Sequence, residues 1–139
     1  MSTEVSWLRG RVLQRVACDD DTKGWSFDFG AGCVLQVFTP WRFVKGSAIA
    51  LGSCDHRHNF GLVQPVDAIA VALDLVNGRC VISAEVANSS SDLTADFGAG
   101  IRLEIFNSSS GYEGWSLTGP EGQLLVAQGG GHLAQWTGR

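Results

Sequence analysis

Trp25, Phe27 and Phe29 alternate with Ser26 and Asp28, and further along the chain Leu93, Ala95 and Phe97 alternate with Thr94 and Asp96. A period of two sends successive side chains to opposite faces of a strand, so both stretches predict strands with one apolar and one polar face. The pattern resumes directly after each. Cys33, Leu35 and Val37 alternate with Val34 and Gln36, and Ile101, Leu103 and Ile105 alternate with Arg102 and Glu104. Between the members of each pair lie Gly30-Ala31-Gly32 and Gly98-Ala99-Gly100, which supply the positive φ that a short hairpin loop needs. Two equivalent hairpins follow. Upstream strands, Arg11 to Cys18 and Arg79 to Val86, enter them through the polar connectors Asp19 to Gly24 and Asn88 to Asp92.

The likeness extends beyond the hairpins. Sliding the chain against itself by 68 positions pairs Leu8 to Leu51 with Val76 to Gly119 without a gap, bringing Asp28-Phe29-Gly30-Ala31-Gly32 onto Asp96-Phe97-Gly98-Ala99-Gly100 and Gly10-Arg11 onto Gly78-Arg79. One domain over residues 1–139, with an internal duplication of 8–51 and 76–119, is the expected organisation. Between the copies the period changes. From Pro65, apolar residues fall at Val66, Ile69, Ala70, Leu73 and Val76, the spacing of a helix face, with Asp67 at its positive end and Asn77-Gly78 as a stop. Pro65 suits the first helical position, while a buried strand over Ala68 to Val76 is the competing assignment. The expected fold class is α+β, predominantly antiparallel β: two pseudo-repeated meanders of about four strands around one core, with one linking helix.

Composition narrows the function classes. The chain is 45% hydrophobic and 17% charged, which provides enough apolar surface for a packed core and argues against disorder. Ten Lys and Arg against fourteen Asp and Glu give a net charge of −4, and the cations are scattered, so nucleic acid is not an expected partner. No apolar run approaches the length of a membrane span and the first residues do not resemble a secretion signal, so no membrane partner and a cytoplasmic location are expected.

The chemistry-bearing residues are few. Cys18, Cys33 and Cys80 stand where the other copy has Val86, Ile101 and Val12, which predicts reduced core thiols. Cys54, His56 and His58 would share one face of an extended strand, a set that could hold zinc if His132 completed it, although the second copy carries no ligand there. Asp28 and Asp96 could act as paired acid and base, but each precedes a Phe-Gly turn, where Asp commonly accepts backbone N–H bonds. Neither a nucleophile motif nor a phosphate loop occurs, so no catalytic residue and no cofactor is assigned. Trp41 and Phe43 follow Pro40 opposite the polar Ser109-Ser110-Gly111 of the second copy, and either form an exposed aromatic patch or lie under the helix.

The chain closes with Gly111-Tyr112-Glu113-Gly114-Trp115-Ser116-Leu117, Gly119-Pro120-Glu121-Gly122, Gly129-Gly130-Gly131 and Trp136. With the strands Leu93 to Phe97 and Ile101 to Ile105, this order resembles a family of small bacterial β-rich proteins without assigned function, and it is similar to the close of bacterial toxin-immunity proteins. The resemblance implies a β-rich unit and carries no catalytic residue across. The expected function is non-enzymatic binding of a basic protein partner, immunity-like, with Trp41, Phe43, Tyr112, Glu113 and Trp115 as partner-binding residues. The alternatives are a small-molecule binder with a cavity between the repeats, recognised by a pocket lined by Trp25 or Trp41, and a metal-dependent enzyme centred on Cys54, His56 and His58.

Overall fold

Alternation becomes twelve strands and one helix in the structure, a computed structural model that describes residues 2–138. The strands are β1 (Ser2–Glu4), β2 (Arg15–Cys18), β3 (Trp25–Asp28), β4 (Val34–Val37), β5 (Trp41–Lys45), β6 (Ala48–Gly52), β7 (Ser83–Ala87), β8 (Leu93–Gly98), β9 (Ile101–Ile105), β10 (Trp115–Thr118), β11 (Leu124–Ala127) and β12 (Leu133–Trp136). They form two antiparallel sheets, ordered β1-β7-β8-β9-β5-β6 and β12-β11-β10-β4-β3-β2. The fold is α+β and mostly antiparallel β, as expected. Residues 1 and 139, the ends of the expected domain, lie outside the described residues.

The meanders β2-β3-β4 and β7-β8-β9 share their pairing at the 68-residue spacing. Val16 faces Phe27 as Ala84 faces Ala95, and Phe27 faces Leu35 as Ala95 faces Leu103. The hairpin turns agree too: Gly30, Ala31 and Gly32 have φ of 79°, 53° and 83°, and Gly98, Ala99 and Gly100 have 80°, 53° and 78°. Asp28 Oδ1 accepts the Gly30 N–H and Asp96 Oδ1 the Gly98 N–H, each at 2.8 Å. Both carboxylates therefore hold turns.

After the meanders the chain crosses over. β5 pairs with β9 in one sheet, and β10 pairs with β4 in the other, so each three-strand meander is completed by strands from the opposite half. Trp41 faces Ile105 and Trp115 faces Val37, which makes Trp115 the counterpart of Trp41 at a spacing of 115 − 41 = 74. Leu51, opposite Phe43, likewise corresponds to Leu125, opposite Leu117. The gapless match of 8–51 with 76–119 is thus corrected: the pairings keep step to Val37 and Ile105, and the second half then carries six extra residues. The serines opposite Trp41 in the gapless match belong to that insertion.

The inner faces meet in one core. Trp41 and Phe43 are 1% and 0% exposed, and the Trp41 ring meets Trp25 and Phe27 of the facing sheet edge-on, at 4.9 and 5.1 Å between centroids. The space between the halves is filled by these rings with Phe29, Phe97, Leu35 and Leu103. The helix α1 (Ala68–Leu75) packs against β2 and β6, the edge strands on one side of the sandwich. It starts three residues later than expected, because Asp67 is its N-cap and accepts the Ile69 and Ala70 N–H groups. Its buried stripe is Ala68, Ala72 and Val76, small enough for close approach, while Ala70 is exposed. Asp67→Ala should cost about 1 kcal/mol, read as a lower midpoint in urea with an unchanged slope, and Asp67→Asn should retain most of the stability.

Candidate functional site

Most of the anticipated site residues serve the fold. Trp41, Phe43 and Trp115 cannot form an exposed partner patch, since each is buried to within 1% of its surface. Tyr112 is 81% exposed, and Glu113 beside it is exposed. Arg102 faces Glu104 at 3.5 Å.

The expected metal strand is not a strand. Ser53–Asp55 form a 3-10 turn, stabilised by the Asp55 carboxylate accepting the Gly52 N–H at 2.8 Å. His56 Nδ1 accepts the Ala68 N–H at the start of α1, and His58 stacks on Phe60. Arg57 between them is left-handed, with φ of 70°, which destroys the alternation that would have aligned the three side chains. Among the described residues no three His, Cys, Asp or Glu side chains are grouped closely enough to hold a metal ion, which corrects the Cys54, His56 and His58 set and its completion by His132. All four cysteines are free, but only Cys33 is fully buried. Cys18 is half-buried, and Cys54 and Cys80 are exposed, against the expectation of three core thiols. Burial pushes the Cys33 thiol above its ordinary pKa and does the same to Cys18, where Asp20 adds to the effect.

Two features that the sequence did not single out meet at one end of the sandwich. The first is a loop. The Arg57 N–H donates to the Val66 carbonyl and the Val66 N–H to the His58 carbonyl, both at 2.8 Å, so residues 59–65 project from a clamped base. Phe60, Leu62 and Val63 on this loop are 65%, 61% and 95% exposed. Phe60 also takes a left-handed φ of 48°, rare for an aromatic residue. The signal was in the sequence: Phe60-Gly61-Leu62-Val63 is apolar yet sits between Asn59 and Pro65, where a polar loop is the usual choice.

The second feature is a cleft of about 370 Å³ beside that loop. The β2–β3 turn contributes Asp20, Lys23 and the face of Trp25, the β4–β5 crossover contributes Phe38, Thr39 and Pro40, and the segment after β6 contributes Cys54, His56 and Arg57. Every lining residue lies between Cys18 and Arg57, so the cleft is not formed between the repeats. Arg57 Nη2 and Asp20 Oδ1, 3.0 Å apart, bridge its rim, and both side chains are well exposed. His56 spends Nδ1 as an acceptor; in its neutral form its proton therefore sits on Nε2.

The described residues thus form a β sandwich with crossed-over strands, a clamped apolar loop and a cleft into which Lys23, Thr39, His56 and Arg57 bring donors. The chain matches the family of unknown function DUF6188 over residues 4–137 and belongs to it. No curated protein and no solved structure matches it. Among the described residues no helix is long and apolar enough to cross a membrane.

Proposed function

We propose that the protein is a non-enzymatic binding protein that docks a protein partner through the loop Asn59–Gln64. The observation that carries this is the exposure of three large apolar side chains on a segment whose base is fixed by paired backbone hydrogen bonds. Presenting Phe60, Leu62 and Val63 to water has no folding benefit, and a rigid base lowers the entropy lost when a partner covers them. The acidic net charge favours a basic partner by steering its approach. The residues that invite catalysis are committed to structure: Asp28 and Asp96 to turns, His56 to the helix start. Four free thiols support action in a reducing compartment such as the cytoplasm. The matching pairings and turns of the two meanders support descent from one duplicated unit. The finer reading, a toxin as the partner, rests on the resemblance of the closing motif.

The test is reconstitution. A protein captured from the source extract, or the product of an adjacent toxin gene, is purified and titrated against this chain and its Val63→Asp variant. At least tenfold weaker binding by the variant is expected, with its melting temperature unchanged because the site is exposed. Equal affinity for the two, or no partner at all, would count against the loop as a docking element.

A further inference from the structure

The two ends of the sandwich are built alike but finished differently. In the second half, the Trp115 indole N–H donates to the Ser91 carbonyl at 2.8 Å. Ser91 Oγ donates to the Gly131 carbonyl at 2.8 Å, and Asn107 Nδ2 to the Gln128 carbonyl at 3.0 Å. The segment after β11 thus inserts its backbone carbonyls against donors from the turn and the crossover. Packing there is tight: a Cβ on Gly131 would lie 2.7 Å from the Ser89 carbonyl oxygen.

At the 68-residue spacing Ser91 corresponds to Lys23, and Asn107 and Thr39 each lie two residues past the last positions in step, Ile105 and Val37. Lys23 and Ser91 share the same left-handed backbone, φ of 63° and 61°. Lys23 and Thr39 are again donors and again come from the turn and the crossover, but they line the open cleft. Thr39 Oγ1 reaches only the Gly114 carbonyl, at 3.5 Å. Arg57, opposite them, uses Nη2 on Asp20 and retains further N–H donors. Behind Trp25, whose ring it meets, the Trp41 indole N–H, counterpart of the paired Trp115 group, is buried with no partner. Lys23 and Thr39 thus keep the donor places of Ser91 and Asn107, but no carbonyl of the segment after β6 accepts from them.

We propose that this cleft binds a small organic anion. Its carboxylate takes the place held in the other half by the Gln128 and Gly131 carbonyls and meets Lys23, Thr39 and Arg57. Its apolar part lies against Trp25, Phe38 and Pro40, which line the same space. Charge-assisted bonds from Lys23 and Arg57 supply orientation, and the aromatic wall supplies burial that a bare inorganic ion could not use. The site is independent of the partner-docking loop, although the two are neighbours.

Benzoate is the probe, followed by amide and indole nuclear magnetic resonance of the full chain. Saturable shifts at Lys23, Trp25, Thr39 and His56 are expected, with acetate binding markedly more weakly because it lacks the ring. Lys23→Gln should weaken benzoate binding about tenfold, the loss of one charge-assisted bond, while Lys45→Gln, on a remote hairpin, should leave it unchanged. Thr39→Val provides a second, uncharged test and should also weaken it. The proposal is overturned by shifts that do not saturate or do not map to the cleft, by equal binding of acetate and benzoate, or by equal effects of Lys23→Gln and Lys45→Gln.

Discussion

Leu103→Asp is expected to leave the chain without a folded state, whereas Arg102→Ala one position away is expected to fold almost normally. Leu103 is 1% exposed and sits on the middle strand β9 between Ala95 and Phe43. A carboxyl group there loses the burial of an aliphatic side chain and must either ionise without a partner or titrate to remain neutral. The cost is of the order of 5 kcal/mol, comparable to the whole stability of a small domain. Arg102 points to the opposite face, its side chain 38% exposed and its ion pair with Glu104 long, so its removal should change stability by less than about 1 kcal/mol. Circular dichroism and urea midpoints decide the matter. If the two variants behave alike, the facing of β9 is wrong.

The second large effect is expected at the paired tryptophans. Truncating either Trp41 or Trp115 to alanine should cost about 3–5 kcal/mol, since both are fully buried ring systems. Phenylalanine separates them. Trp115→Phe leaves the buried Ser91 carbonyl without its donor, a further penalty of about 1–3 kcal/mol, whereas Trp41→Phe removes an indole N–H that has no acceptor. Trp115→Phe should therefore melt several degrees below Trp41→Phe. Equal melting temperatures would mean that the Trp41 indole has found a partner, or that the Ser91 bond contributes nothing.

What alternation could reveal, it revealed. A period of two assigns faces, and β3, β4, β8 and β9 lie within a residue or so of where the polar and apolar positions put them. It says nothing about which neighbour a strand will choose. The crossing of β5 and β10 into opposite sheets, and the six extra residues that shift Trp115 from step with Trp41, depend on contacts between distant segments. Hence the alternation alone leaves Trp41 and Trp115 free to face a partner, although both belong to the core. Cys54 to His58 departs from an extended strand for a local reason: the Asp55 carboxylate accepts the Gly52 N–H three residues back and closes a turn there. The cleft is not legible in the sequence, because Lys23 and Thr39 look like ordinary surface residues until Ser91 and Asn107 show what their positions do.

The crossing of strands between halves also governs how the chain can be assembled. β5 must wait for β9, a span of 105 − 41 = 64 residues, and β4 must wait for β10, a span of 115 − 37 = 78. Closing such long loops precedes any reward from the contacts they bring, which slows folding and leaves no half that can settle first. A nascent polypeptide that has emerged only as far as the helix holds two orphan hairpin edges. Its native pairings can close only after synthesis has passed Trp115, the last tryptophan of the core.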